Sequence, residues 1–114
     1  MALPQVTIDD FQRIEMRVGR ILSVEPLPEA RKPAYKLRID FGPEIGIKQS
    51  SAQLTALYTR ESLIDRLVVG VVNFPPRRVA GFNSEVLVLG APDPDGAVVL
   101  VQPERDVPPG ARIF

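Results

Sequence analysis

Two short polar segments carry the side chains of this chain that are best suited to binding chemistry. Residues 48–53 supply a lysine, two serines and two glutamines, and residues 73–78 supply an asparagine, a phenylalanine, two prolines and two arginines. Each segment adjoins an apolar run of the kind that forms a core, so its hydroxyls, amides and cations are available to a ligand. The pattern predicts a site that holds a peptide or RNA. Its candidate residues are Lys48, Ser50, Ser51, Asn73, Phe74, Arg77, Arg78 and Phe82.

The composition argues against catalysis. The chain has 114 residues with no His and no Cys, and so it lacks the commonest acid–base, nucleophilic and metal-binding side chains. Its acidic residues are scattered or suit helix caps and turns, and it contains neither a glycine-rich phosphate loop nor a G-x-S-x-G turn. We therefore expect no enzyme, no cofactor and no metal site.

The charges cancel, with 14 basic and 14 acidic residues. A nucleic-acid binder usually has a basic excess, because phosphate neutralisation supplies most of its affinity. The balance lowers the expectation of tight RNA or DNA binding but leaves room for local basic faces. A secondary basic patch either borders the binding face or is a solvated charged surface; its members are Arg31, Lys32, Lys36 and Arg38.

The candidate residues also have structural alternatives. Ser50 and Ser51 are suited either to ligand contact or to capping the helical turns that follow, and the sequence leaves open which face of a strand they present. Phe74 or Phe82 could stack on a base or cover an apolar side chain. Alternatively, Phe74 only closes off the core.

The elements that would position these residues are mostly strands. Thr7 and Asp10 predict a short capped helix that ends near Ile14 or Glu15, and residues 54–63 predict a second short helix. Gly19 predicts a bulge or a sharp bend in the first strand. Apolar alternation and turn signals predict strands at residues 16–24, 35–41, 45–53, 67–74, 84–90 and 97–102.

These elements predict an all-β fold, a five-stranded Greek-key OB barrel with one short helix at its start and another between strands 3 and 4. We expect a single domain over residues 1–114, with a core at about 16–91. The extensions 1–15 and 92–114 are expected to form a dimer interface, because an uncovered apolar strand such as 98–101 is a liability. No apolar run is long enough to span a bilayer and no secretory signal is evident, so the expected location is cytoplasmic, without membrane insertion.

Four motifs give the chain a family resemblance. They are D-F-x-R-x-E-M-R-V-G-x-I at 10–21, K-Q-S-S-A-Q-x-T at 48–55, V-N-F-P-P-R at 72–77 and S-E-V-L-V-L-G at 84–90. The first resembles the tRNA-binding OB domains attached to methionyl-tRNA synthetases. The others look like the CsaA subgroup, bacterial secretion-associated chaperones made of a free-standing domain of this type. The resemblance spans about residues 7–114.

The CsaA resemblance implies a homodimer with a preformed apolar pocket on each subunit, which binds unfolded or signal-bearing preproteins and passes them to the secretion machinery. Carried over by position, it implies a pocket and rim made of Lys48, Ser50, Ser51, Asn73, Phe74, Arg77 and Phe82. The alternative is a tRNA-binding module that uses the same face. Departures from the tRNA binders at residues 51–52, 75–78 and 82–83, together with the balanced charge, make tRNA the second choice. A third alternative is an accessory subunit that docks to another protein without a peptide groove.

Overall fold

The computed structural model, which describes residues 2–114, has nine strands and three short helices within that range. The helices are α1 (Ile8–Gln12), α2 (Gly42–Ile45) and α3 (Arg60–Leu63). The strands are β1 (Met16–Pro26), β2 (Tyr35–Asp40), β3 (Ile47–Ala52), β4 (Leu67–Val71), β5 (Arg77–Val79), β6 (Phe82–Ser84), β7 (Leu87–Val88), β8 (Gly90–Pro92) and β9 (Val98–Leu100).

The main sheet is a five-stranded antiparallel barrel with the strand order β3-β2-β1-β4-β7. β1, β2 and β3 follow one another, and β4 returns to lie beside β1, which is Greek-key order. Helix α3 lies between β3 and β4. The predicted OB-type barrel is therefore confirmed. Two separate hairpins, β5–β6 and β8–β9, complete the strand pairing.

The barrel closes through a seam between residues 49–51 of β3 and residues 84–86. The Glu85 backbone N–H donates to the Gln49 carbonyl at 2.9 Å, and the Ser51 N–H donates to the Ser84 hydroxyl at 3.0 Å. The Ser50 hydroxyl lies 3.1 Å from the Val86 carbonyl. Because side chains make most of these bonds, the seam is not a regular backbone ladder.

The core lies inside the barrel, and β2 shows the alternation that fills it. Leu37, Ile39 and Phe41 are fully buried, as predicted, whereas Arg38 between them is exposed. Gly19 on β1 lets two of these side chains approach the backbone. A Cβ at that position would lie 2.5 Å from Ile39 Cγ2 and 2.8 Å from Phe41 Cε1.

The predicted bulge at Gly19 was wrong. Gly19 pairs with Val68 in regular register, and the register shift in β1 falls between Ile21 and Ser23. The glycine is needed for close packing against the core, while the extra residue that bends the strand is Leu22.

Several predicted boundaries also differ from the structure. The third strand begins at Ile47 because α2 occupies residues 42–45. The fourth ends at Val71: the Val72 N–H still bonds the Glu15 carbonyl in register, but the Glu15 N–H donates to Asn73 Oδ1 and the ladder stops. The predicted strand 84–90 is divided among β6, β7 and β8. The division arises where Glu85 turns to bond β3.

The two ends of the chain meet beside the start of β1. Helix α1 is held at its start by a Thr7–Asp10 capping box, as predicted, but it ends earlier, at Gln12. The C-terminal residues 110–113 run along β1 through three backbone bonds of 2.7–2.9 Å. The Arg112 guanidinium donates to the Gln12 carbonyl at 2.7 Å. The C-terminal extension therefore packs on the barrel.

Arg17 connects the segments that meet at this junction. Its guanidinium contacts the Glu15 carboxylate at 2.6 Å and the Glu44 carboxylate at 3.0 Å, and it donates to the Gly110 carbonyl at 2.8 Å. The hydrogen bond that Arg17 donates to the Glu15 carboxylate raises the pKa of Arg17 above its ordinary value, against the opposing effect of burial. We call this group the Arg17 cluster.

Candidate binding groove

A groove of about 880 Å³ opens on one side of the barrel. One wall is the loop between β1 and β2, and the opposite wall is the β5–β6 hairpin with the residues that precede it. The end of β3 lies between them. Apolar side chains form most of the floor, and they come from Ala34, Ala52, Leu54, Val86, Val88, Leu89, Val98 and Leu100.

The rim of the groove carries cations from both walls. Arg31 and Lys32 come from the β1–β2 loop, and Arg77 comes from β5. These three side chains form no ion pair with any carboxylate within residues 2–114. We call them the rim cations. Their charge is available to a ligand because no internal partner neutralises it.

Two carboxylates also line the groove. Glu29 lies on the same loop as the rim cations, and Glu85 lies at the seam. Glu85 Oε1 already accepts from the Gln49 backbone N–H at 3.0 Å. One of the two carboxylates is therefore held in place at the seam. The groove lining as a whole carries three cations against two carboxylates, which is a net positive charge.

The groove brings together only part of the predicted set. Ser51, Phe74 and Arg77 line it with the two loop cations of the secondary patch, Arg31 and Lys32. Phe74 is 45% exposed, so its ring is available for contact. The remaining predicted residues do not line it; they are Lys48, Ser50, Asn73, Arg78 and Phe82 of the first set, and Lys36 and Arg38 of the secondary patch.

The two neighbouring serines face opposite sides of β3. Ser50 pairs with Leu37 and is only 1% exposed, so it points into the barrel, where its hydroxyl bonds backbone carbonyls of the seam. Ser51 pairs with Lys36 on the outer face and lines the groove. The helix-capping alternative is wrong for α3, because Thr59 caps that helix. Lys48, opposite Ile39, shares the face of Ser50.

Asn73 uses its side-chain amide inside the protein. Its Oδ1 accepts from the Glu15 N–H at 2.9 Å, and its Nδ2 donates to the Arg13 carbonyl at 2.8 Å. The side chain therefore fastens the end of α1 beside the end of β4. A second predicted residue, Phe82, lies under Lys36, whose ammonium is 6.0 Å from the ring centroid, within reach of a weak cation–π contact.

The sequence analysis missed the seam residues Gln49, Ser84 and Glu85, and also the floor. The side chain of each seam residue bonds the backbone of the opposing segment. Because the partners lie far apart in the chain, no local sequence pattern predicts these bonds. The floor was detectable in principle, because residues 86–89 and 98–100 were predicted as apolar strands. What the strands did not reveal is that their side chains remain accessible at the bottom of a groove.

Residues 2–114 contain no group of three or more acidic residues placed to hold a metal ion. Within the same range, no helix has the length and apolar character needed to cross a membrane.

Comparison with known families gives this geometry a context. Residues 16–112 match the model of the family described as "Putative tRNA binding domain". The chain belongs to this family. The match covers the whole barrel and the C-terminal residues that run along β1.

Two solved structures are closely similar to this one. The CsaA chaperone of Picrophilus torridus is 50% identical, with a TM-score of 0.90 over 96% of this chain and 100% of the other. The CsaA chaperone of Bacillus anthracis is also 50% identical, with a TM-score of 0.91 over 97% of this chain and 100% of the other.

Methionine–tRNA ligases contain a similar domain. The ligase of Methanosarcina acetivorans is 34% identical over 111 residues, which is 97% of this chain and 15% of the ligase. The ligase of Methanococcus aeolicus is 39% identical over 108 residues, which is 95% of this chain and 15% of the ligase. This chain thus spans about 15% of the length of these relatives.

Proposed function

We propose that this tRNA-binding-family domain is an export-related chaperone that binds unfolded or signal-bearing preproteins in the groove, without catalysis. The observation that carries the proposal is a groove with an apolar floor beneath rim cations that have no internal partner. Burial of apolar side chains on such a floor yields about 25 cal/mol per Å² removed from water, and this energy requires no bound nucleotide. The chaperone is therefore proposed to work independently of ATP.

The proposed contacts divide by chemistry. Ser51 and the exposed Phe74 ring lie beside the floor, where the hydroxyl would bond a client backbone and the ring would cover an apolar side chain. The rim cations would meet client carboxylates, since guanidinium and ammonium groups pair with them. Ser50 and Asn73 are proposed to act indirectly, because their polar atoms hold the seam and the α1–β4 junction.

The relatives support this choice. Two CsaA chaperones share half of the sequence and match almost the whole chain. The secretion machinery is proposed as the partner that receives the client, and the cytoplasm as the location. These assignments carry over from the chaperone function and depend on it.

A second function is favoured by one observation. Phe74, 45% exposed, adjoins Arg77 on the rim, and an aromatic ring beside a cation is a platform on which a base stacks while its phosphate is neutralised. The family and the methionine–tRNA ligase relatives point the same way. The alternative is therefore a tRNA-binding module that uses the same groove.

We also propose that the chain forms a homodimer through its terminal extensions. Leu3, Val6 and Ile8 are exposed apolar residues in the N-terminal extension, and so is Phe114 in the C-terminal one. The bond between Arg112 and Gln12 brings the two extensions together, and burial against a second copy would remove the apolar side chains from water. Light scattering at low micromolar concentration tests the proposal, and a monomeric mass would contradict it.

One experiment separates the chaperone from the RNA-binding module. Binding of an unfolded preprotein and of a tRNA pool is measured by fluorescence anisotropy from 50 to 500 mM salt. The chaperone proposal predicts preprotein affinity that changes little with salt, because apolar burial dominates. The tRNA alternative predicts a steep loss on a logarithmic salt scale.

Two variants sharpen the result. Phe74→Ala is expected to weaken preprotein binding by about tenfold, within the range for truncating a buried aromatic contact. Arg38→Met, which alters an exposed cation outside the groove, serves as the control and should leave preprotein binding unchanged. Sub-micromolar tRNA binding at physiological salt, without preprotein binding, would overturn the chaperone proposal.

A further inference from the structure

One strand edge beside the groove has no strand paired to it within residues 2–114. β5 belongs to a two-stranded sheet and pairs only with β6. Its other edge is therefore free. Exposed strand edges are places where an additional extended chain pairs through its backbone.

The pairing pattern shows which backbone groups lie on that edge. The hairpin turns through two residues, Ala80 and Gly81, so its closing pair Val79–Phe82 exchanges hydrogen bonds and the next pair, Arg78–Asn83, does not. The Asn83 carbonyl accordingly points away from β5 and accepts from Gln49 Nε2 at 2.8 Å. By the same alternation, the Arg78 N–H and carbonyl point away from β6, toward the free edge.

β5 supplies more of the groove wall than β6. Arg77 and Val79, which share one face of the strand, both line the groove, whereas only Ser84 does so from β6. Arg78 lies on the opposite face and is exposed. A strand added at the free edge would therefore continue the wall. Alternate side chains of that strand would face the groove, and the others would lie on the face of Arg78.

The charges on the two faces of β5 favour acidic extended peptides over basic ones. The groove face offers an apolar floor with rim cations, and the opposite face of β5 offers Arg78, which forms no ion pair within residues 2–114. Aliphatic side chains suit the floor, and carboxylates suit the guanidinium groups. A lysine-rich segment would place like charges together.

We propose that the groove receives an extended peptide by strand addition to the free edge of β5, and that the preferred segment alternates aliphatic and acidic residues. The inference rests on the proposed peptide binding. It specifies how the peptide backbone is held and which side chains flank it. Backbone bonds to Arg78 supply affinity that is independent of sequence, while the floor and the cations supply the selection.

The test uses two substitutions at one position. Arg78→Ala and Arg78→Pro both remove the guanidinium group, but only proline removes the N–H that points to the free edge. The β5–β6 bonds are made by Arg77 and Val79, so either variant leaves that ladder in place. The probe is a fluorescein-labelled nonapeptide of alternating valine and glutamate, and its lysine counterpart is the charge control.

Strand addition predicts that Arg78→Pro binds the valine–glutamate peptide about tenfold more weakly than Arg78→Ala, as expected for loss of a backbone hydrogen bond. It also predicts that the valine–lysine peptide binds wild-type protein more weakly than the valine–glutamate peptide. A scan of N-methyl groups along the peptide should weaken binding at the position whose N–H bonds the Arg78 carbonyl and not at its two neighbours, whose N–H groups point away from β5, and this scan needs no folded variant.

The outcomes distinguish three kinds of failure. Equal binding by the two variants, together with a scan in which no position is sensitive to N-methylation, would overturn strand addition, while peptide capture itself would stand. A lysine peptide that binds as tightly as the glutamate peptide would overturn the acidic preference. If wild-type protein binds neither these peptides nor an unfolded preprotein, the proposed function fails and strand addition fails with it.

Discussion

Arg17 and Arg77 place the same side chain in opposite surroundings. Arg17 is 13% exposed and contacts two carboxylates and a carbonyl at the chain ends. Arg77 lies exposed at the groove rim with no carboxylate partner among residues 2–114. The charge of Arg17 is neutralised by internal carboxylates, and the contact holds chain segments together. The charge of Arg77 remains available to a ligand in the groove. This difference separates structural from functional cations in a chain of zero net charge.

The largest expected effect comes from breaking the Arg17 cluster. Arg17→Met keeps the aliphatic stem but leaves Glu15 and the Gly110 carbonyl without their partner. Removing one member of this part-buried ion pair, together with its bond to the Gly110 carbonyl, should cost about 2 kcal/mol, and urea unfolding measures it. Peptide affinity of the folded variant should stay at the wild-type value. A loss of affinity without a loss of stability would reverse the assigned roles.

The contribution of Arg17 to the unfolding free energy should also stay constant as the pH rises from 7 to 9. The pKa of Arg17 is higher in the folded protein than in the unfolded chain. The stability that results is fully present at pH values below the pKa of the unfolded chain, and it is lost only as the pH rises through the pKa of the folded protein. Arginine remains charged up to about pH 12. The difference in unfolding free energy between wild type and Arg17→Met, measured by urea titration, is therefore expected to be equal at pH 7 and pH 9.

The matching change at the rim should affect ligand binding alone. Arg77→Met is expected to weaken the valine–glutamate peptide by about tenfold, roughly 1.4 kcal/mol, because a carboxylate loses its partner. Its unfolding free energy should change by no more than about 0.5 kcal/mol, as is usual for exposed positions. Arg105→Met, at a cation outside the groove, is the control. Equal peptide affinities for the two variants would contradict the role of the rim.

The seam gives a smaller effect on stability. Ser50→Ala removes the hydroxyl that lies 3.0 Å from the Ser51 carbonyl and 3.1 Å from the Val86 carbonyl. Loss of this buried bond should cost about 1 kcal/mol in urea unfolding. Ser51→Ala keeps the backbone bond to Ser84 and should cost less. A larger cost at Ser51 would contradict the inward orientation of Ser50.

The smallest effect is expected at the hairpin turn. Ala80 has φ of 50° and Gly81 has φ of 80°, and a left-handed conformation is costly for alanine but tolerated by asparagine. Ala80→Asn should raise the unfolding free energy by about 0.5 kcal/mol. Thermal unfolding measures the gain, with Gly81→Ala as the opposing control because it places an alanine in the same strained region. No gain at Ala80 would indicate that the turn is relaxed.

Much of the fold was predictable from local patterns. The alternation of Leu37, Ile39 and Phe41 identified β2, and the Thr7–Asp10 spacing identified the start of α1. Gly19 shows the limit of such reasoning. A glycine in a strand signals either a bulge or a close approach, and only the side chains of Ile39 and Phe41, from the neighbouring β2 and the residue after it, decide between them.

The site was predictable in outline but not residue by residue. Ser51, Phe74 and Arg77 meet at the groove as expected. Asn73 has the same polar character, yet its amide is occupied by Glu15 and Arg13, about 60 residues earlier in the chain. When the hydrogen-bond partner of a polar side chain lies so far away in the chain, the sequence gives no sign that the side chain is already bonded.

The seam has a consequence for the slow motions of the protein. The amides of the β1–β4 ladder are protected by unbroken backbone pairing, whereas the Ser51 and Gln49 amides depend on the side chains of Ser84 and Glu85. A rotamer change is enough to release these two. In native-state hydrogen exchange they should therefore exchange before the ladder amides, which marks the seam as the line along which the barrel opens first. That line adjoins the groove, so an occupied groove should slow their exchange.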